Sequence, residues 1–150
     1  MSHFVIDASV AIKWIVEEEG TVEALAILEK AKLSAPDLLI AECANILWKK
    51  VRRKELSEDE AQIGASLLEQ ADIEILPTRH LLGSATSLAV ELDHPAYDCI
   101  YLALAIERDW QFATADERFQ RRVREGQSRQ YSSNVLSLPE AAATLTKGGS

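Results

Sequence analysis

The sequence predicts an α/β fold in three layers, α/β/α, with a mostly parallel central sheet. Two observations predict it. Short β-type runs, at residues 4–6, 33–35, 73–76, 111–114 and 133–138, alternate with longer segments whose apolar residues recur at helical spacing. Strands joined through helices pair in parallel, and a parallel sheet is covered on both faces. A third observation bears on function: two of these runs stop at an aspartate, Asp7 after the first and Asp116 after the fourth. In open α/β sheets ligands bind outside the carboxyl ends of the strands, where both acids would lie.

Taken in order, Phe4-Val5-Ile6 is the first strand. Asp7 alone reads equally well as a helix N-cap or as a working group in the crevice. Residues 10–16 form a predicted helix, ended by Glu17-Glu18-Glu19-Gly20. Thr21 is placed to cap a second helix to about residue 32, with Leu25 and Leu28 on its inner face. After the strand at 33–35, Pro36-Asp37 opens a long helix with Pro in the first turn, where a missing N–H is tolerated. Its apolar stripe is Leu39, Cys43, Leu47 and Val51, with Ile40, Ala44 and Trp48 beside it. Glu42 and Asn45 share the flank of that stripe.

Ser57-Glu58-Asp59-Glu60 has the pattern of a capping box, which predicts a helix to about residue 70. The strand at 73–76 stops at Pro77, and a helix at 81–92 is broken by Asp93-His94-Pro95. A strongly apolar helix at 96–108 carries Asp98 in its first turn and feeds the strand at 111–114. A basic helix follows Asp116, then a strand at 133–138 and a short helix at 139–145. No repeat or linker divides the chain. One domain is expected over residues 1–145, with 146–150 as a disordered tail.

Composition narrows the function classes. The 150 residues are 47% hydrophobic and 27% charged, the balance of a globular protein with a real core. No apolar run approaches a membrane span and the first residues lack the layout of a signal peptide, so no membrane partner is expected and the cytoplasm is the default location. Cys43 and Cys99 fall inside apolar helical patterns without CxxC spacing, which predicts buried free thiols. The net charge of −8 weighs against nucleic acid as a partner. Its distribution weighs the other way: Lys49, Lys50, Arg52, Arg53 and Lys54 form one basic patch at 49–54, and Arg118, Arg121, Arg122, Arg124 and Arg129 a second at 118–129. Each is either a phosphate-backbone contact or a solvated helix end.

Asp7, Glu42, Asp98 and Asp116 are the candidate site. Glu42 is the one acid on the otherwise apolar stretch 38–47, and a carboxylate bordering a core is costly unless paired or coordinating. Several acids in one crevice hold protons near neutrality unless a divalent cation neutralises them. Oxygen-only ligation with open positions favours Mg²⁺ or Mn²⁺. Such a centre suits phosphodiester hydrolysis, the metal activating water and neutralising charge on the phosphate. His3, His80 and His94 are read as structural or exposed. Trp14, Trp48 and Trp110 are read as core or dimer packing rather than base-stacking residues.

Asp7-Ala8-Ser9, Glu42 with Asn45, the block Tyr97-Asp98-Cys99-Ile100-Tyr101-Leu102-Ala103-Leu104-Ala105, and Thr114-Ala115-Asp116 together resemble the PIN-domain pattern in order and spacing. More narrowly they resemble the VapC-like toxins of toxin–antitoxin pairs, over residues 4 to about 138. The resemblance implies a metal-dependent endoribonuclease that cleaves RNA, acts as the toxin of a type II pair, dimerises and is neutralised by a VapB-like antitoxin. It implies Asp7, Glu42, Asp98 and Asp116 as catalytic metal ligands. Ser9 and Thr114 match supporting hydroxyl positions and Asn45 a less constant polar one. A haloacid-dehalogenase-like phosphatase is the alternative enzyme, although Ser9 stands where that fold needs a second acid. A non-catalytic PIN-fold binding partner is the alternative from another class.

Overall fold

The computed structural model describes residues 1–125 and 129–148. Five strands, β1 (His3–Ile6), β2 (Lys32–Pro36), β3 (Glu74–Leu76), β4 (Gln111–Thr114) and β5 (Val135–Ser137), form one sheet in the order β3-β2-β1-β4-β5. All four pairings are parallel, so the sheet is wholly rather than mostly parallel. Among the described residues the α-helices are α1 (Ala8–Ala11), α2 (Thr21–Lys30), α3 (Leu38–Arg52), α4 (Glu58–Gln70), α5 (Leu82–Leu92), α6 (Ala96–Arg108), α7 (Glu117–Glu125) and α8 (Leu138–Gly148). None of them is long and apolar enough to cross a membrane.

Strand alternation sends successive side chains to opposite faces, and the core accordingly has two halves. Val5, Phe112 and Val135 join α5, α6 and α7 through Leu88, Tyr101, Leu104, Phe119 and Val123. Phe4, Ile6, Leu33, Ala35 and Ala113 join α1, α2, α3 and α8 through Val10, Ile27, Leu39 and Ala141. The chain leaves β1 toward β2 and β3, then returns to add β4 and β5 on the other side. The carboxyl ends of β1 and β4 therefore flank the topological switch point, where an open α/β sheet has its crevice.

Several expectations are corrected. The helix expected at 10–16 is α1 followed by a 3-10 turn, Ile12–Trp14. The inner face of α2 is Ala24 and Ile27, with Leu28 half-buried; Leu25 is 45% exposed. Both choices fit i, i+3 spacing, and packing on α8 selects between them. Pro36 does not open α3. It ends β2, and α3 begins at Leu38 after Asp37, whose carboxylate accepts from Thr78 Oγ1 (2.9 Å) instead of capping. Leu39, Cys43 and Leu47 are buried as expected, while Ile40 and Trp48 beside them face solvent. The capping box at Ser57 and Glu60 forms in both directions, 2.9 and 3.1 Å.

The thiols of Cys43 and Cys99 are buried and free, and burial raises them to about 12 and about 11. Neither is a thiolate at neutral pH. Trp14 is half-buried and donates to Ala24 O, and Trp110 stacks on His3; Trp48, 53% exposed, is not in the core. Where a tail was expected at 146–150, α8 continues to Gly148, and residues 149–150 lie outside the described residues.

Candidate active site

Asp7 leaves the end of β1 with its side chain turned inward, 6% exposed. The register that sets Ile6 opposite Ala113 places Asp7 beside Thr114 at the end of β4. Thr114 Oγ1 donates to Asp7 Oδ2 (2.6 Å), and Ser9 Oγ donates to Asp7 Oδ1 (2.6 Å). Val10 N donates to Oδ1 at 3.3 Å, so Asp7 also caps α1. The cap and the crevice position are thus one arrangement rather than alternatives. Ser9 Oγ in turn accepts from Ala115 N (3.0 Å), and Thr114 Oγ1 accepts from Asp116 N (3.1 Å). The two hydroxyls tie the β4 turn to the buried carboxylate.

Glu42, in the second turn of α3, is half-buried and accepts a hydrogen bond on Oε1 from the hydroxyl of Tyr101. Tyr101 is fully buried on α6 and stacks against Phe112. Asp98, one turn earlier on α6, shares a 2.6 Å hydrogen bond between its Oδ2 and Nε2 of His94. His94 is itself buried, against the ring of Phe119. Asp116 Oδ1 accepts from Phe119 N (3.1 Å), closing the first turn of α7.

Electrostatics joins these groups. Burial pushes the Asp7 carboxyl up to about 7; hydrogen bonds from Ser9 and Thr114 oppose that, and the charges of Asp98 and Glu42 add to it. Glu42 is raised by burial and by Asp98, against the pull of Tyr101. Asp98 is raised by burial and by Asp116, with His94 opposing. Each acid therefore feels at least one other. Among the described residues no Lys or Arg pairs with any of the four; the cationic partners lie elsewhere, as in Lys13–Glu18, Lys50–Glu55 and Arg124–Glu140. Uncompensated carboxylates at a buried edge repel one another and are costly to ionise.

The arrangement stops short of a preformed ion cage. Among the described residues no three Asp, Glu, His or Cys side chains already stand around one point as ligands. Asp7 engages both carboxylate oxygens with internal donors, Glu42 and Asp98 one each, leaving the remaining lone pairs for a ligand. As chemistry the donor set fits a hard divalent cation: oxygen only, anionic, and, among the described residues, without a competing Lys or Arg. The charges of Asp98 and Glu42 act on Asp7, that of Asp98 on Glu42 and that of Asp116 on Asp98, so the four acids are linked pairwise, with Ser9 and Thr114 in contact with Asp7. Asn45 is not brought in; it is exposed on α3, and its side chain makes no hydrogen bond among the described residues.

Two participants escaped the sequence reading. His80 is exposed beside Glu107 and His3 bonds Ser34, as structural readings allow, but His94 touches Asp98 directly. Its signal was the four-residue spacing to Asp98 across Pro95. For Tyr101 the signal was a hydroxyl inside an apolar helix three residues after an acid, since a buried Tyr needs a partner for its O–H.

Comparison with known proteins agrees with this fold. The PIN domain model matches residues 4–125. Ribonuclease VapC3 from Pyrobaculum aerophilum is 32% identical over 120 residues, covering 76% of this chain and 89% of that protein. Among solved structures, PAE2754 from Pyrobaculum aerophilum superposes with a TM-score of 0.72 at 18% identity, over 97% of this chain and 90% of that one. VapC20 from Mycobacterium tuberculosis, described as a toxin that cleaves the sarcin-ricin loop, superposes with a TM-score of 0.58 at 12% identity, over 74% and 86%. At these identities the two structures speak for the fold alone; the family match and VapC3 carry the assignment. The chain belongs to the PIN-domain family, in its VapC-like branch.

Proposed function

We propose that this protein is a divalent-metal-dependent endoribonuclease and the toxin of a type II toxin–antitoxin pair. The observation that supports the reading is the electrostatic coupling of four acids from separate segments, Asp7 after β1, Glu42 on α3, Asp98 on α6 and Asp116 in the β4–α7 turn, with no Lys or Arg paired to them among the described residues. Asp7, Glu42 and Asp98 would hold Mg²⁺ or Mn²⁺, with Asp116 completing the set. A bound cation supplies activation of water and neutralisation of charge on the phosphate. Ser9 and Thr114 fix the Asp7 carboxylate, Tyr101 fixes Glu42 and His94 fixes Asp98, so that few oxygens need reorient on binding.

The reading includes a cytoplasmic protein, a homodimer and a VapB-type antitoxin. Support for protein contacts comes from exposed apolar side chains, Ile40 and Trp48 on α3 and Ile63 and Leu67 on α4. The direct test is cleavage of single-stranded RNA in Mg²⁺. Activity lost in EDTA, regained with Mn²⁺ and silenced by a cognate VapB-type protein is the expected result; cleavage untouched by EDTA would remove the metal mechanism.

A second prediction concerns the groups that hold the acids. Tyr101→Phe and His94→Leu keep most of the packing and delete one hydrogen bond each. Outer-sphere changes of this kind typically cost about 10–100-fold in metal affinity. Mn²⁺ titration followed by electron paramagnetic resonance should show that loss, with His94→Gln, which retains an N–H donor, recovering part of it. Unchanged Mn²⁺ affinity in both deletions would separate these residues from the site.

A further inference from the structure

We propose that the exposed face of α7 is the surface that holds the phosphate backbone of the substrate strand; this rests on the ribonuclease reading. α7 starts directly after Asp116 and buries Phe119, Gln120 and Val123. Its opposite face carries Arg118, Arg121 and Arg122, all exposed, which with Glu125 line a shallow depression of about 300 Å³. The fourth arginine of the helix is committed: Arg124 bonds Val135 O (3.2 Å) and Glu140 (2.6 Å). Arg118, Arg121 and Arg122 have no hydrogen-bond or ion-pair partner among the described residues.

The helix gains little from this placement: Glu117 and Glu125, each four residues from Arg121, offset only part of the repulsion among the three arginines. Residues at i, i+3 and i+4 are surface neighbours, so three like charges there repel. Arg118 is moreover in the first turn, where the positive end of the helix dipole disfavours a cation. The solvated-helix-end reading thus covers Arg122 but neither Arg118 nor Arg121. A polyanion resolves both conflicts. It also answers a problem of the whole molecule, which at a net charge of −8 repels nucleic acid and presents it with an acidic centre. Arg118 and Arg122 are one turn apart, about 6 Å along the axis, and step away from Asp116. A strand laid along α7 would run its phosphates from the arginine face into the acidic crevice.

The other basic patch lacks these features. Lys50 is tied to Glu18 and Glu55, and Arg52 lies over Trp48. Its cations stand at the carboxyl end of α3, where the dipole favours them. Those on the helix, Lys49, Lys50 and Arg52, are seven to ten positions beyond Glu42, roughly 10–15 Å along it. Of the second patch, residues 126–128 lie outside the described residues, and the proposal uses only the part on α7.

The test is the salt dependence of RNA binding in an Asp98→Asn background, read by fluorescence anisotropy of a labelled mixed-sequence single-stranded RNA. Arg118→Gln/Arg121→Gln/Arg122→Gln should flatten the plot of log K against log salt by about 2, near 0.7 for each phosphate no longer neutralised, and weaken binding at least about tenfold in moderate salt. Arg118→Lys/Arg121→Lys/Arg122→Lys should keep the slope, and Lys49→Gln/Arg53→Gln/Lys54→Gln should leave it nearly unchanged. Deleting three mutually repelling charges should not lower the melting temperature; if the triple variant misfolds, the pair Arg121→Gln/Arg122→Gln serves, with a slope change of about 1.4. An unaltered slope in the Gln variants, or an equal change from the α3 variant, would overturn the proposal, including the outcome that α7 contacts a protein partner instead. If the wild-type protein cleaves RNA while the α7 variants bind it as the parent does, only this surface fails. If the wild-type protein neither binds nor cleaves RNA, the ribonuclease reading itself fails.

Discussion

Asp98→Asn should abolish cleavage, by a factor of about 10³ or more, in a protein that folds as before. The change removes one negative charge from the acidic set and keeps the shape. The substituted amide still offers an oxygen to His94, so the hydrogen bond that holds this side chain survives. Asp98 is also the acid coupled most widely: its charge raises both Asp7 and Glu42, and it is itself raised by Asp116. A neutral amide there weakens the attraction for a divalent ion from the middle of the cluster. A thousandfold loss corresponds to about 4 kcal/mol of transition-state stabilisation, a reasonable share for one charged ligand of a catalytic cation. Circular dichroism close to wild type and a metal-free melting temperature no lower than wild type, alongside cleavage rates in Mg²⁺, check both halves. Wild-type rates in Asp98→Asn would mean that the site is misassigned.

The second large effect has the opposite sign for stability. Asp7→Asn should stabilise the metal-free protein above neutral pH. The Asp7 carboxyl titrates near 3.8 when exposed and at about 7 in the fold. Between roughly pH 4 and 7 the folded state keeps a proton that the unfolded chain has released. Stability then falls as pH rises through this window, by up to about 1.4 kcal/mol per pH unit, and levels off above it. Glu42 and Asp98 are shifted in the same direction and reinforce the trend. An amide at position 7 has nothing to ionise, so the variant should escape this loss, on the order of 2–4 kcal/mol. Ser9 can still donate to the amide oxygen, while the Thr114 hydroxyl can accept from the amide nitrogen.

At pH 8 without metal the Asp7→Asn protein should therefore melt about 5–10 °C above wild type. At pH 4 the two should nearly coincide. Adding Mn²⁺ should raise the wild-type melting temperature and leave the variant almost unmoved, because only a ligand that binds the native state stabilises it. A variant that melts below wild type at pH 8 would make Asp7 a purely structural cap.

Much of this was legible before any coordinates. The alternation of strand and helix favours a parallel sheet because helical crossovers join parallel strands and cover both faces, and the two strand-ending aspartates then fall on one edge. Glu42 stood out as an acid inside an apolar stripe, and Asp98 as one in the first turn of an apolar helix. What was not legible depends on neighbours distant in sequence. The contact between Tyr101 and Glu42 spans 59 positions, and the one between Thr114 and Asp7 spans 107. The choice between Ala24 and Leu25 as the inner face of α2 is made by α8, far along the chain. The placing of Pro36 differs for a local reason: its fixed φ suits the first turn of a helix, yet it also completes β2 opposite Leu76. His94 was read as a helix-edge residue because nothing in a His-Pro pair announces that the imidazole turns back onto a carboxylate four residues later.

The central claim is that four acids from separate segments serve one divalent cation at the carboxyl edge of the sheet. Anomalous scattering from crystals soaked in Mn²⁺ tests it most directly. The account predicts a peak in the crevice between β1 and β4, with carboxylate oxygens of Asp7 and Asp98 about 2 Å away and Glu42 and Asp116 bound directly or through water. A map without a peak there, with Asp7 still held only by Ser9, Thr114 and Val10, would contradict it.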